Sequence, residues 1–194
     1  MANNDASFLC GIDEAGRGPL AGPVSAAAVI LSENFPVWLL DDSKKLSPAV
    51  REELKIIICS GALAWGIGWA TEAEIDGINI LKASLLAMKR AFFALTWNEE
   101  REPANIHVIV DGLFVPDIPV PCKPVVKADS SVPEVMAASI LAKTARDRLM
   151  EYYGIFYPEY GFENHKGYPT KAHREAIHRW GPSPIQRLSF NCKE

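Results

Sequence analysis

The sequence is short of the residues on which many chemistries rest. Cysteine occurs four times, as Cys10, Cys59, Cys122 and Cys192, with no CxxC pair and no metal-ligand spacing. That excludes a disulfide scaffold or a thiolate zinc site and points to buried or unreactive thiols in a reducing compartment. Histidine also occurs four times. His173 and His178 stand five apart, wrong for one helix face, so the histidines read as surface residues or as supports for other side chains. The longest apolar run, near Ala26 to Leu31, is far too short to cross a bilayer, and the N-terminus lacks the basic start and apolar stretch of a signal peptide. The expectation is a soluble, cytoplasmic protein that does not engage a membrane. Positive charge is scarce as well: the net charge is −4, so no global field advertises nucleic acid.

What is present is unevenly spread. Residues 1–122 hold 9 Lys and Arg against 16 Asp and Glu, whereas residues 123–194 hold 11 against 8 and three of the four histidines. An acidic body with a basic C-terminal third suits a metal site beside a phosphate-binding surface, although solvated surface charge produces the same imbalance. At 194 residues and 48% hydrophobic content the chain can bury one well-formed core.

The chain is organised around residues 8–23. The apolar run Phe8 to Ile12 ends on two adjacent carboxylates, Asp13 and Glu14, and a turn carrying Gly16, Arg17 and Gly18 follows at once. Acids delivered to the end of a strand serve a core poorly and a hard divalent cation well, since such ions take oxygen ligands from a rigid scaffold. Glycines beside them let backbone approach a ligand. A strand that stops in a solvated acidic turn is the alternative reading.

Val24 to Leu31 reads as a second strand, pairing with the first across a wide turn bracketed by Pro19 and Pro23. Ser47 caps a helix that has Pro48 at its first position. Ala62 to Ala70 alternates large and small residues as a third strand. Thr71 opens a short helix, and a longer one runs from Ile80 to Trp97 with Leu81, Leu85, Met88, Phe92 and Leu95 on one face. Ile106 to Val110 and Pro124 to Lys127 give the fourth and fifth strands. A helix from Pro133 to about Tyr153 has a face of Val135, Ala138, Ala142 and Ala145 suited to close packing, and a last helix runs from the Thr170 cap to Trp180. The expected fold is α/β, a mixed five-stranded sheet with helices on both faces. It forms one domain over residues 1–194, with a small helical C-terminal lobe from about residue 152 that covers one edge.

Three of the five strands end on acid, at Asp13-Glu14, Asp111 and Asp129. Singly, Asp111-Gly112 reads as a turn and Asp129-Ser130-Ser131 as a helix cap. Jointly they converge if the first, fourth and fifth strands are parallel neighbours. Four carboxylates at contact distance cannot all stay ionised without a cation. Because adjacent strand residues face opposite ways, Glu14 requires the strand to be bending already, as Ala15-Gly16 permits. Two carboxylate-held metals roughly 4 Å apart would suit in-line phosphoryl displacement, one activating water and the other neutralising the leaving oxygen.

Asp13-Glu14-Ala15-Gly16-Arg17-Gly18-Pro19 resembles the signature of the prokaryotic type 2 ribonucleases H. The likeness continues through Asp42-Ser43-Lys44-Lys45-Leu46, Asn79 to Ala83, Val110-Asp111-Gly112, Lys127 to Ser130, Ala137 to Lys143, Arg146-Asp147 and His165 to Thr170. The resemblance implies a ribonuclease H-like fold and endonucleolytic cleavage of the RNA strand of RNA–DNA hybrids. It also implies incision 5′ of single ribonucleotides in duplex DNA, in the service of ribonucleotide and RNA-primer removal. By position, Asp13, Glu14, Asp111 and Asp129 match the family's catalytic, metal-binding carboxylates, which use Mg²⁺ or Mn²⁺. Gly16, Arg17, Gly18 and Tyr168 match the parts that sense the 2′-hydroxyl at an RNA–DNA junction. Glycines flanking Arg17 suit that role, because a backbone turn reaches a hydroxyl only where no side chain intrudes. Lys44, Lys45, Lys143, Arg146, Lys166 and Lys171 are either phosphate contacts or solvated. The sequence departs from the family at Ala128, where glycine is frequent, and at Gln186-Arg187-Leu188, which replaces a more basic run and weakens the case that the tail binds DNA.

Other readings fare worse. The third glycine is misplaced for a dinucleotide fingerprint, and Ala83 stands where a calcium loop needs a glutamate. A non-catalytic nucleic-acid-binding module would need positive charge at its centre. The type 3 ribonucleases H resemble this chain but usually carry Gly-Lys-Gly in place of Gly-Arg-Gly, with an extra N-terminal domain. Only seven residues precede the first strand here, which favours type 2, and nothing in the pattern calls for more than a monomer.

Overall fold

The computed structural model describes residues 7–97 and 105–190. Strand β1 (Ser7–Ala15) pairs antiparallel with β2 (Val24–Leu31), and β2 pairs antiparallel with β3 (Ala62–Ala70). On its other side β1 runs parallel to β5 (Asn105–Asp111), which runs parallel to β6 (Cys122–Val125). A two-residue strand, β4 (Thr96–Trp97), closes the far edge of β3, giving the order β4-β3-β2-β1-β5-β6. The mixed sheet thus has six strands where the sequence suggests five. The extra one comes from the end of the expected helix 80–97, where Thr96 and Trp97, both at home in strands, dock on the open edge of β3.

All eight residues of β2 are buried, because helices cover both faces of the sheet. Ala26, Ala28 and Ile30 face α3 (Ile80–Phe93), packing with Cys10, Ile12, Val108 and Val110. Ala27, Val29 and Leu31 face the other way, onto α1 (Pro48–Gly61) and α4 (Pro133–Phe156). Small residues bring α4 very close to β1: a Cβ on Gly11 would lie 2.2 Å from the carbonyl carbon of Glu134. Only glycine lets that backbone-to-backbone contact form.

Local rules set the helix starts. Ser47 accepts a hydrogen bond from the Val50 amide, and Pro48 occupies the first turn of α1. Thr71 and Glu74 form a reciprocal capping box on α2 (Glu72–Ile78). The fifth expected strand sits two residues earlier than the sequence suggests. Lys127 takes a left-handed conformation (φ 60°) and ends any extended run, so Asp129 rides on a 3₁₀ turn, Ala128–Ser130.

The C-terminal lobe comprises a turn at Pro158–Tyr160, the short α5 (Phe162–His165) and α6 (Lys171–Trp180). Its Tyr160 and Phe162 pack in a small buried cluster with Ile185, with Ala21 of the turn before β2 and with Met150 of α4. Its attachments run to α4 and to the turn between β1 and β2, where the Leu20 amide donates to Gly167 and the Gly22 amide to Ile185. His173 is fully buried in this lobe beside Phe162 and stacks on His165, so burial pushes its pKa down to about 4. Burial likewise raises the thiol pKa to about 12 at Cys10 and to about 11 at Cys122, and it shifts the Cys59 thiol upward too. Cys192 lies outside the described residues. Among the described residues no helix is long and apolar enough to cross a membrane.

Candidate active site

The parallel pairing of β1 with β5 brings the acids together. The register sets Ile12 against Val110, so Asp13 and Asp111 leave adjacent strand ends on the same side. The Ala128 amide donates to Asp111 Oδ1 at 2.8 Å, tying the end of β5 to the 3₁₀ turn that presents Asp129. One carboxylate oxygen from each of Asp13, Asp111 and Asp129 lies within 4.8 Å of the others. Asp13 and Asp129 are buried, and Asp111 is half-buried.

Glu14 stands apart from this trio. The ladder with β2 runs on to Ala15, and the turn begins at Gly16 (φ 95°). Its carboxylate lines the same cleft but lies 3.3 Å from the Arg17 guanidinium.

The electrostatics are those of a site short of positive charge. Burial raises the pKa of Asp13, and the neighbouring Glu14 and Asp111 push it further. Burial also raises Glu14, against the pull of Arg17. At Asp111, burial and the Asp129 charge act in the same direction. Lys44 Nζ, 2.9 Å from Asp129, is the closest compensating charge, and that hydrogen bond raises its own pKa. Hard oxygen donors crowded until their ionised forms are disfavoured are the donor set that a divalent cation takes. The residues therefore fit such an ion. Ser139 hydrogen-bonds Asp13 and lies 2.8 Å from Ser43, fixing the orientation of the first carboxylate from α4.

Beside the acids runs a cleft of about 230 Å³ lined by Gly16, Arg17, Gly18, Lys44, Lys143 and Tyr168, together with Asp13, Glu14 and Asp111. Gly16 is doubly constrained: its φ is left-handed, and a Cβ there would fall 2.0 Å from Arg146 Nε. A Cβ on Gly18 would meet only ordinary contact, 3.7 Å from the Tyr168 ring. Lys143 pairs with Asp147 at 2.6 Å while its ammonium lies 5.9 Å from the centroid of Tyr168.

Not every expected contact residue reaches this cleft. Arg146 is 1% exposed and donates to the carbonyls of Pro23, Lys166 and Ala21, so no phosphate can reach it and its role is structural. Lys166 is turned toward Glu151 and the Glu163 carbonyl, away from the acids. Lys45 pairs with Asp41 at the surface, and Lys171 lies 3.8 Å from Glu175. Ser43 and Ser139 stand within the motifs that carry the resemblance but have no role assigned from the sequence, and Arg187 reads there as part of a tail. One signal did mark Arg146. It continues the spacing of Ala138 and Ala142 toward Met150, four buried residues on one face of α4.

A sequence profile of the family described as ribonuclease HII matches residues 10–193. The ribonuclease HII of Treponema denticola is 57% identical over 96% of this chain and 99% of its own length. That of Dechloromonas aromatica is 52% identical over 94% of this chain and 90% of its own length. Among solved structures, ribonuclease H2 of Pyrococcus horikoshii superposes with a TM-score of 0.73 at 27% identity, covering 95% of this chain and 94% of that one. Bst-RNase HIII, solved with Mn²⁺, gives a TM-score of 0.78 over 98% of this chain and 69% of that one, but at 19% identity it speaks for the fold alone. Acids gathered at the ends of parallel strands, the glycine-rich turn beside them and a match that spans nearly the whole sequence agree: the chain belongs to the ribonuclease HII family of metal-dependent hydrolytic ribonucleases.

Proposed function

We propose that the chain is a single-domain, monomeric endonuclease that cleaves the RNA strand of RNA–DNA hybrids and incises 5′ of single ribonucleotides embedded in duplex DNA. The observation that carries this reading is the trio Asp13, Asp111 and Asp129, with carboxylate oxygens within 4.8 Å, beside a turn of glycines and Tyr168. These three acids would hold Mg²⁺ or Mn²⁺, with Glu14 at the margin. When bound, such cations supply a water of lowered pKa and neutralise charge on the leaving oxygen. The protein does the rest. Ser139 holds Asp13 in place, and the Ala128 amide holds Asp111. Lys44 offers a charge that a phosphate can share once the acids have a cation. Arg17, half exposed at the rim, and Lys143 line the path of a phosphate backbone. Tyr168 offers a ring to a sugar, and the turn offers backbone amides to a 2′-hydroxyl.

The test is cleavage of a duplex carrying one ribonucleotide, with the metal titrated. Incision on the 5′ side is expected, leaving 3′-hydroxyl and 5′-phosphate ends, with none in a chelator. Cyclic phosphate ends would mean that the 2′-hydroxyl attacks and would overturn the mechanism. Tyr168→Ala should reduce junction cutting more than duplex binding; equal loss of both would make the tyrosine structural.

A further inference from the structure

Of the side chains that hold the turn between β1 and β2 from beneath, Arg187 makes the most bonds. Arg187 is fully buried, and its guanidinium donates to five carbonyls, all from that turn. Nε donates to Gly22 at 2.7 Å, Nη1 to Arg17 at 3.0 Å and Pro19 at 2.8 Å, and Nη2 to Gly16 at 2.6 Å and Pro23 at 3.1 Å. An arginine has five N–H donors, so every one is used. The strand of chain carrying Arg187 is itself pinned. The Gln186 side chain donates to Leu20, and the amides of Leu188 and Ser189 donate to the Asp76 carboxylate at 2.8 and 2.9 Å.

A trans peptide points its N–H opposite to its C=O. Carbonyls of Gly16 and Arg17 drawn inward onto Arg187 therefore aim the amides of Arg17 and Gly18 outward, away from the guanidinium. Both residues line the cleft beside the carboxylates. Lysine could not do this: its three donors radiate from one point, whereas the planar fork spans carbonyls separated by several residues.

We propose that Arg187 is a positioning residue for substrate choice, turning two backbone amides of the glycine-rich turn toward the ribose 2′-oxygen. The proposal rests on the reading of that turn given above. Without the arginine, five inward carbonyls lose their common donor, and the peptide planes that face the substrate are free to rotate.

The experiment measures binding of two duplexes of identical sequence, one with a single ribonucleotide and one all-DNA, by fluorescence anisotropy in a chelator so that no cleavage occurs. It compares the wild-type protein with Arg187→Met and Arg187→Lys. The wild type should favour the ribonucleotide duplex by about tenfold, the worth of one or two hydrogen bonds. Arg187→Met should bring that ratio close to one while all-DNA affinity changes by less than about threefold, since phosphate contacts set the latter. Arg187→Lys should lower the ratio to an intermediate value, and it carries the test alone if the methionine variant does not fold. A purely structural role would weaken both duplexes alike or leave the ratio intact, and either result overturns the proposal. A wild-type ratio of one would instead overturn the reading of the turn as a 2′-hydroxyl sensor, and this inference with it.

Discussion

Two neighbouring clusters of buried charge solve the same problem in opposite ways. Arg146 and Arg187 are buried with no ion pair to a carboxylate among the described residues, yet between them they donate to the carbonyls of the turn and of Lys166 and leave little charge unshared. Asp13, Asp111 and Asp129 crowd together with a few donors (Lys44, Ser139 and the Ala128 amide) that do not offset their mutual repulsion. The first cluster is complete without a ligand, because carbonyl dipoles replace the water that the guanidinium loses. The second is incomplete, and its unfavourable balance is what a divalent cation relieves. Satisfied charge builds the scaffold; unsatisfied charge leaves a place that suits a cation.

The comparison can be broken most sharply at the acids. Asp111→Asn should keep the fold, since the amide oxygen can still accept from Ala128, while the cleavage rate falls about a hundred-fold or more, equivalent to about 2.7 kcal/mol of barrier. Near-normal turnover would remove Asp111 from the ligand set. Arg146→Met attacks the other cluster. It removes the donor from the carbonyls of Ala21 and Lys166, leaves Pro23 to Arg187 alone, and should lower the urea-unfolding free energy by about 2 kcal/mol. An unchanged midpoint would show that water replaces the guanidinium at no cost.

The third effect is smaller and depends on pH. The folded-state pKa values of Asp13, Glu14 and Asp111 lie above the ordinary carboxylate range of about 4. Their contribution to stability is therefore greatest below that range and is lost as pH rises through the raised values. The melting temperature of the metal-free protein should fall over that interval. Mg²⁺ at ten times its dissociation constant should restore about 1.4 kcal/mol. A melting curve indifferent to Mg²⁺ at neutral pH would contradict the site. Smallest of all is Lys44→Ala. Its ammonium touches Asp129, but the side chain is 75% exposed, so solvent screens the pair and unfolding should shift by less than about 0.5 kcal/mol. A larger loss would place Lys44 in the scaffold.

Much of this was legible in the sequence, for definable reasons. Apolar runs ending at Asp13 and Asp111 announced both the strands and the acids, because period-two burial and polar strand ends are local signals. Ser47-Pro48 and Thr71 announced helix starts through capping chemistry. Asp129 was found for an inexact reason: it lies near a strand end in sequence, but a left-handed Lys127 and a 3₁₀ turn present it. Strand β4 could not be read, since two residues carry no periodicity. Arg146 reads in the sequence as a phosphate contact or a solvated charge, and Arg187 as part of the tail, because long cations are almost always exposed. Only the folded turn, with its carbonyls facing inward, makes burial favourable for them.

The glycine at position 11 has a reach beyond its own strand. Because the first turn of α4 rests directly on β1 there, the near end of the helix lies as close to the sheet as backbone allows. Ser139, Lys143 and Arg146 all project from α4, farther along the same rod. One added methyl would lift the rod at its near end and tilt those three side chains together. The cleft would then be misaligned from a residue that touches neither nucleic acid nor ion.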